Sequence, residues 1–173
     1  MFEMILAPVD GGEPATNALR LAARMAARLD ARLEILYVPP AEAPPQQLRE
    51  MAERLGFLSE VRDDLDAIEA VPVVASVAAA VPALKYPDGF HARWGERVLE
   101  WARTVAHGEG AQRVEGKLAE GDPAKSVCEH ARSRKAELIV MGSRGRGKLA
   151  SLLLGSVSRK VLEESECPCM IVK

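Results

Sequence analysis

The sequence LIVMGSRGRGKLASLLLGSVSRK, residues 138–160, places a glycine-rich basic loop between an apolar run and a glycine–serine pair. Its first four residues are apolar and predict a buried strand that ends at Gly142. The three glycines of the loop tolerate positive φ and let a ligand approach the backbone. Gly155 and Ser156 then open a predicted helix, whose first N–H groups favour an anion. The stretch predicts a phosphate-binding loop, with a solvated basic turn as the alternative.

Strands and helices alternate along most of the rest of the chain. A strand, a helix and a second strand within residues 4–38 form a βαβ unit, which predicts a parallel sheet with a right-handed crossover. The predicted strands are 4–9, 33–38, 111–120, 138–141 and 169–172. The predicted helices are 14–30, 46–70, 93–107, 123–135 and 156–164. Asp122 is a typical N-cap for the fourth of these helices, and Pro123 suits its first position.

The segment around residues 70–90 interrupts this alternation. It is rich in Val, Ala and Pro, and we interpret it as an insertion within a single domain that spans residues 1–173. Exposed apolar segments usually mark contacts, which favours a packing or dimer-contact role over a lid above a ligand. A partly mobile loop is the remaining alternative.

Composition excludes several classes of protein. The chain has 173 residues, with 23 basic and 25 acidic side chains and a net charge of −2, so bulk charge would not recruit nucleic acid or a membrane. Aromatic residues make up 4%, too few for a platform that stacks single-stranded nucleic acid. The N-terminus lacks the basic start of a signal peptide, and the longest weakly polar run, residues 70–84, is too short to span a membrane. We therefore expect a cytoplasmic protein with neither a nucleic-acid nor a membrane partner.

Neither the cysteines nor the histidines follow a metal-ligand spacing. Cys128, Cys167 and Cys169 form no C-x-x-C pair, and we interpret them as small buried thiols in a reducing compartment. The triplet Cys167-Pro168-Cys169 leaves a redox or metal role as the alternative. The three histidines lie in different predicted elements, so we expect neither a metal site nor a catalytic histidine.

Two common nucleotide motifs match the glycine-rich loop only in part. Residues 142–148 have the G-x-x-x-x-G-K spacing of a P-loop, but Leu149 stands where Ser or Thr would hold Mg²⁺. Gly145, Gly147 and Ala150 fit the relaxed dinucleotide motif. That motif must open a βαβ unit, whereas a single short strand follows here. Both motifs are therefore rejected.

The spacing Gly142-x-x-Gly145, nine residues, then Gly155-Ser156 resembles the universal stress protein family. Ala7-Pro8-Val9-Asp10 in the first strand and Cys167-Pro168 before the last strand add to the resemblance. It implies an α/β fold, a three-layer open sandwich in which a five-stranded parallel sheet of order 3-2-1-4-5 carries helices on both faces. It also implies the subgroup that binds ATP, because members without these glycines generally do not.

In this strand order, the first and fourth strands lie side by side where the winding of the sheet reverses. Open α/β sheets bind their ligands in the crevice outside the carboxyl ends of such strands. Asp10 ends the first predicted strand and Gly142 ends the fourth. Both residues are therefore expected at the crevice.

The family pattern implies nucleotide contacts for residues from three parts of the chain. Near the adenine and ribose it places Asp10 and the backbone of Val38; beside the sugar and phosphates, Gly142, Arg144 and Gly145; around the phosphates, Gly155, Ser156, Val157 and Ser158. The implied ligand is ATP, with ADP and AMP as alternatives and Mg²⁺ accompanying the phosphates. Asp10 has a structural alternative, closing the turn before the first helix. Gly12 stands where the family often has a serine, which removes a hydroxyl contact there.

The resemblance implies a nucleotide-binding regulatory protein of the stress response. Hydrolysis should be slow or absent, because no motif supplies a general base, a metal cluster or an activated nucleophile. The alternatives are a dimeric interaction module without a physiological nucleotide and an enzyme that transfers adenylyl or phosphoryl groups. The last strand, residues 169–172, would lie exposed at the sheet edge, and the resemblance suggests a homodimer that pairs these edges.

Overall fold

The computed structural model describes residues 2–71, 83–144 and 154–173. Its strands are β1 Met4–Val9, β2 Arg32–Tyr37, β3 Glu69–Val71, β4 Ala83–Lys85, β5 Val114–Leu118, β6 Leu138–Gly142 and β7 Cys169–Val172. Its helices are α1 Glu13–Leu29, α2 Pro45–Leu55, α3 Leu58–Asp66, α4 Phe90–Gly108, α5 Pro123–Arg134 and α6 Ser156–Glu164. The chain forms two compact units: Met1–Pro39 together with Gly95–Lys173, and Pro40–Trp94.

The first unit is built on a five-stranded parallel sheet in the order β5-β2-β1-β6-β7. Numbering only these five strands along the chain gives 3-2-1-4-5, which confirms the predicted order. From β1 the chain winds to β2 and β5 on one side, and then crosses to β6 and β7 on the other. The winding therefore reverses between β1 and β6.

Helices cover both faces of this sheet. One face packs against α5 and α6 through a buried cluster that includes Leu6, Leu36, Ile139 and Val161. Residues alternate between faces along a strand, so their neighbours point to the opposite side. That side meets α1, which contacts β1, β2, β6 and β7. The predicted three-layer arrangement is confirmed.

Local sequence signals set most of the element boundaries in this unit. β1, α6 and β7 have the predicted bounds, whereas β5 is shorter than the predicted strand 111–120. Asp122 caps α5 as predicted, because its Oδ1 accepts a hydrogen bond from Lys125 N at 3.0 Å. This bond and the nearby Lys160 ammonium hold the pKa of Asp122 below its usual range. Among the described residues, no helix is both long and apolar enough to cross a membrane.

The second unit has its own apolar core. Tyr86, Phe90, Trp94 and Phe57 form a chain of ring contacts, with centroids 5.3–5.8 Å apart. The Tyr86 hydroxyl also bonds to the backbone N and O of Ala43. These contacts join the beginning of the unit to its end. This unit is longer in sequence than the insertion expected around residues 70–90. Residues 72–82 of that expected insertion lie outside the described part of the chain.

The prediction of one helix over residues 46–70 is wrong. Gly56 has a φ of +86°, a left-handed conformation that ends α2, and α3 begins at Leu58. Apolar spacing of three and four residues continues across this break, since both helices bury one face. β3 then starts at Glu69 and pairs antiparallel with β4, a pairing for which the local sequence gives no signal.

Glu34, on the interior strand β2, is a buried charged residue. It is 5% exposed and faces α5, where His130 Nε2 lies 2.7 Å from its Oε1 and Arg134 Nε donates to its Oε2 at 2.9 Å. Arg134 also reaches Glu115 on β5, at 3.1 Å. A buried carboxylate is tolerated because both of its oxygens have partners. The network fixes the end of α5 against the sheet.

Glu34→Ala should lower the stability of the protein, because His130 loses its partner within the packed layer. Breaking a buried charge network costs about 3 kcal/mol, measurable as a lower midpoint of urea unfolding. Glu115→Ala is the matched control, since Glu115 contacts the same Arg134 but is exposed. Equal losses of stability in both variants would show that the burial of Glu34 is irrelevant.

Candidate functional site

The predicted site residues lie at the carboxyl ends of neighbouring strands. In the register of β1 with β6, Ile5 lies beside Leu138 and Leu6 beside Ile139. The same offset, continued to the strand ends, brings Val9 level with Gly142. Asp10 and Ser143 therefore follow adjacent strands at the point where the winding reverses. Val38 occupies the corresponding place after β2, because Tyr37 pairs with Val9.

Asp10 closes the turn that leads into α1. Its Oδ1 accepts a hydrogen bond from Gly12 N at 2.8 Å, and Gly11 between them has a φ of +78°. The first turn of α1 also carries the acidic Glu13 and has Pro14, which lacks an N–H group. This helix start is thus surrounded by negative charge and is a poor site for a further anion. The bond to Gly12 uses only Oδ1 of Asp10, and Oδ2 takes no part in it.

Gly142 is required by packing between β6 and α1. A Cβ atom at this residue would lie 2.7 Å from Ala15 N and from Pro14 C, both backbone atoms that cannot move aside. Only a glycine therefore allows the start of α1 to rest on the end of β6. This contact gives a structural reason for a glycine that the family resemblance assigns to the nucleotide.

The start of α6 offers hydrogen-bond donors to the crevice. Gly155 is the N-cap, with φ −69° and ψ 160°, and no side chain of the described residues caps the helix. The N–H groups of Ser156, Val157 and Ser158 occupy the first turn, where an α-helix has no carbonyl partners for them. Ser156 is exposed, and Val157 packs against the cluster under α5 and α6. The macrodipole adds partial positive charge at the same place, so this helix start favours an anion.

Three hydrogen bonds, which we call the α6 anchor, connect the start of α6 to the end of β6 and the end of β6 to the end of β7. Ser158 Oγ donates to Gly142 O at 2.8 Å, and Gly155 N donates to Ser143 O at 2.8 Å. Ser143 N in turn donates to Val172 O at 2.6 Å. Ser158 is 3% exposed. Its hydroxyl, expected at the phosphates, is instead occupied inside the protein.

Sequence reasoning did not identify Ser143. Its contribution to the α6 anchor comes from its backbone N–H and C=O, which every residue type except proline would supply, so the sequence carries no signal for it. Of the other predicted site residues, Arg144 is exposed just after Ser143. Gly145 lies outside the described residues. The structure brings Gly142, Gly155 and Ser158 together and leaves Asp10 and Val38 on neighbouring strand ends.

The cysteines form a separate group away from these strand ends. All three are free and half-buried, and Cys128 and Cys167 line a cavity of about 230 Å³ between the ends of α5 and α6. Burial raises the pKa of the Cys167 thiol to about 11 and raises the pKa values of Cys128 and Cys169 as well. Raised pKa values leave little thiolate at neutral pH, which disfavours redox chemistry. Among the described residues, no group of three His, Cys, Asp or Glu side chains is arranged to hold a metal.

The fold and the crevice define an open α/β protein whose sheet reverses its winding beside the start of α6, a helix start that favours an anion. A model of the universal stress protein family matches residues 1–173. The chain belongs to that family. Curated relatives include the Bacillus subtilis stress response protein NhaX, 33% identical over 75% of this chain and 69% of that protein. The B. subtilis universal stress protein YxiE is 43% identical over 46% of this chain, and the match spans 53% of YxiE.

Solved structures share the fold at low sequence identity. The hypothetical protein MJ0577 matches with a TM-score of 0.66 at 21% identity, covering 100% of this chain and 96% of that one. A universal stress protein in complex with cAMP matches with a TM-score of 0.60 at 21% identity, covering 99% and 97%. The universal stress protein from Archaeoglobus fulgidus in complex with dAMP matches with a TM-score of 0.57 at 17% identity, covering 100% and 98%.

Gly142→Ala should destabilise the protein, because the added methyl group would overlap the backbone at the start of α1. Overpacking of this kind costs about 2 kcal/mol, measurable by urea unfolding. Gly108→Ala is the control: Gly108 ends α4, and a Cβ there meets nothing within 4 Å. The control should unfold at an equal or higher urea concentration. An unaltered midpoint for Gly142→Ala would contradict the packing role.

Proposed function

We propose that the protein binds an adenine nucleotide, ATP with ADP and AMP as alternatives, and acts as a regulatory protein of the stress response in the cytoplasm. One observation carries the proposal. The start of α6 presents the N–H groups of Ser156, Val157 and Ser158 beside the strand ends where the sheet reverses. An open α/β sheet binds its ligand at this point, and a helix N-terminus is suited to phosphate.

The charge of the two helix starts suggests the orientation of the ligand. Asp10 and Glu13 surround the start of α1, whereas the first two turns of α6 carry Arg159 and Lys160 and no acidic residue before Glu163. Phosphate groups would therefore lie against α6. The ribose and adenine would extend towards Asp10 and the backbone of Val38.

The relatives support an adenine nucleotide over other anions. Two proteins of the same fold were solved with cAMP and with dAMP, which share an adenine ring and a single phosphate. Arg144, exposed beside Ser143, could contact further phosphates. Mg²⁺ would enter with a di- or triphosphate, as it does in other nucleotide sites. We expect hydrolysis to be slow or absent.

We also propose a homodimer that pairs the β7 edges of two copies. β7 is the outermost strand of the sheet next to β6, so among the described strands its other edge has no neighbour. Two large apolar side chains of this unit are exposed nearby in sequence, Met170 on β7 at 36% and Leu162 on α6 at 41%. Proteins usually cover such an edge, and a second copy would do so symmetrically.

Ser156→Asp should weaken ATP binding at least tenfold without lowering stability. A carboxylate in the first turn repels the phosphates but interacts favourably with the helix dipole. Ser59→Asp is the matched control, because Ser59 is an exposed serine in the first turn of α3, in the unit that carries none of the predicted site residues. Titration calorimetry with ATP, ADP and AMP measures the affinities.

Thermal unfolding provides an independent readout, since a ligand that binds only the native state must raise the melting temperature. Wild-type protein and the Ser59→Asp variant should gain thermal stability with ATP, and Ser156→Asp should gain little. A wild-type protein that shows neither heat of binding nor thermal stabilisation with any of the three nucleotides would overturn the proposed function.

Met170→Lys should shift a dimer towards monomer, because it places a charge at the β7 edge where a second copy would bury it. Ser133→Lys adds the same charge at an exposed residue of α5 and serves as the control. Sedimentation velocity over a range of protein concentrations measures the association. Monomeric wild-type protein at all concentrations would rule out the dimer.

A further inference from the structure

We propose that the side chain of Ser158 positions the phosphate-binding turn of α6 and that its hydroxyl does not contact the nucleotide phosphates itself. It acts by fixing the first turn of α6 to the end of β6. This inference rests on the proposed nucleotide binding and concerns how affinity for the phosphate group arises.

The contacts of Ser158 leave no side-chain donor for a ligand. A serine hydroxyl has one O–H, and that of Ser158 donates to Gly142 O at 2.8 Å in a buried environment. Turning the hydroxyl towards a phosphate would leave the buried Gly142 carbonyl without this bond, at a cost comparable to the bond gained. Ser156, two residues earlier, is exposed and keeps its hydroxyl available.

The bond sits where it controls the direction of the phosphate-binding donors. Gly155 N bonds to Ser143 O at one side of the first turn, and Ser158 Oγ bonds to Gly142 O at the other. Two attachments to consecutive residues fix both the place and the tilt of the helix start. Hydrogen bonds weaken steeply with distance and angle, so a small tilt would weaken all donors of the turn together.

The structure also separates this effect from the rest of the site. Asp10 and Val38, the residues expected near the ribose and adenine, follow β1 and β2 and take no part in the α6 anchor. Loss of the Ser158 bond should therefore weaken ligands that carry phosphate and spare adenosine, which carries none.

The test compares Ser158→Ala, which lacks the hydroxyl, with Ser158→Thr, which keeps it, and with Ser156→Ala. Titration calorimetry measures the affinities for AMP and adenosine. Amide hydrogen exchange in ligand-free protein measures Gly155 and Arg159, whose N–H groups donate to Ser143 O and to Gly155 O. Ser158→Ala should weaken AMP binding about tenfold and leave adenosine binding within about twofold. It should also speed exchange of these two amides before any ligand is added, and Ser158→Thr should restore both properties. Ser156→Ala should leave the exchange unchanged.

Two results would overturn the positioning role. Weaker binding of AMP with unchanged amide exchange in ligand-free Ser158→Ala would indicate a direct contact with phosphate. Equal losses for AMP and adenosine would show that the residue does not act through the phosphate group. A wild-type protein that binds neither ligand would instead overturn the proposed function, and the exchange measurement would still decide whether Ser158 holds the helix start.

Discussion

The close approach of α1 to the end of β6 is the contact on which the rest of the structure depends. Gly142 has no side chain, so the backbone of Pro14 and Ala15 can lie directly on one side of it. Its carbonyl group is bonded to Ser158 of α6. One residue thus joins a helix on one face of the sheet to a helix on the other, at the edge where the winding reverses. The arrangement of the crevice follows from this three-way junction.

The parts of the fold that could be predicted are those set by local signals. The bounds of β1 and β7 follow from short apolar runs, and the start of α5 follows from Asp122 and Pro123. The strand order came from the resemblance carried by the glycine spacing, and the observed sheet agrees with it. The same resemblance selected the strand ends and the start of α6 as the candidate site.

The remaining features depend on partners that are distant in sequence. Apolar periodicity runs through Gly56, so the pattern alone does not reveal that α2 ends there. The pairing of β3 with β4 joins two segments of three residues whose register the sequence leaves open. The family resemblance placed Ser158 at the phosphates, because the sequence shows a hydroxyl in the first turn of the last helix but does not show that Gly142 O lies within its reach. Residue type indicates what an atom can do, and only the packing decides which partner it has.

The bond between Ser143 O and Gly155 N joins the two residues that flank the segment 144–154. The start of α6 is therefore attached by residues on either side of this segment. Side chains between the tied ends can be substituted at the same segment length without removing these attachments, so the surface that the segment presents and the direction of the α6 donors are set by different residues.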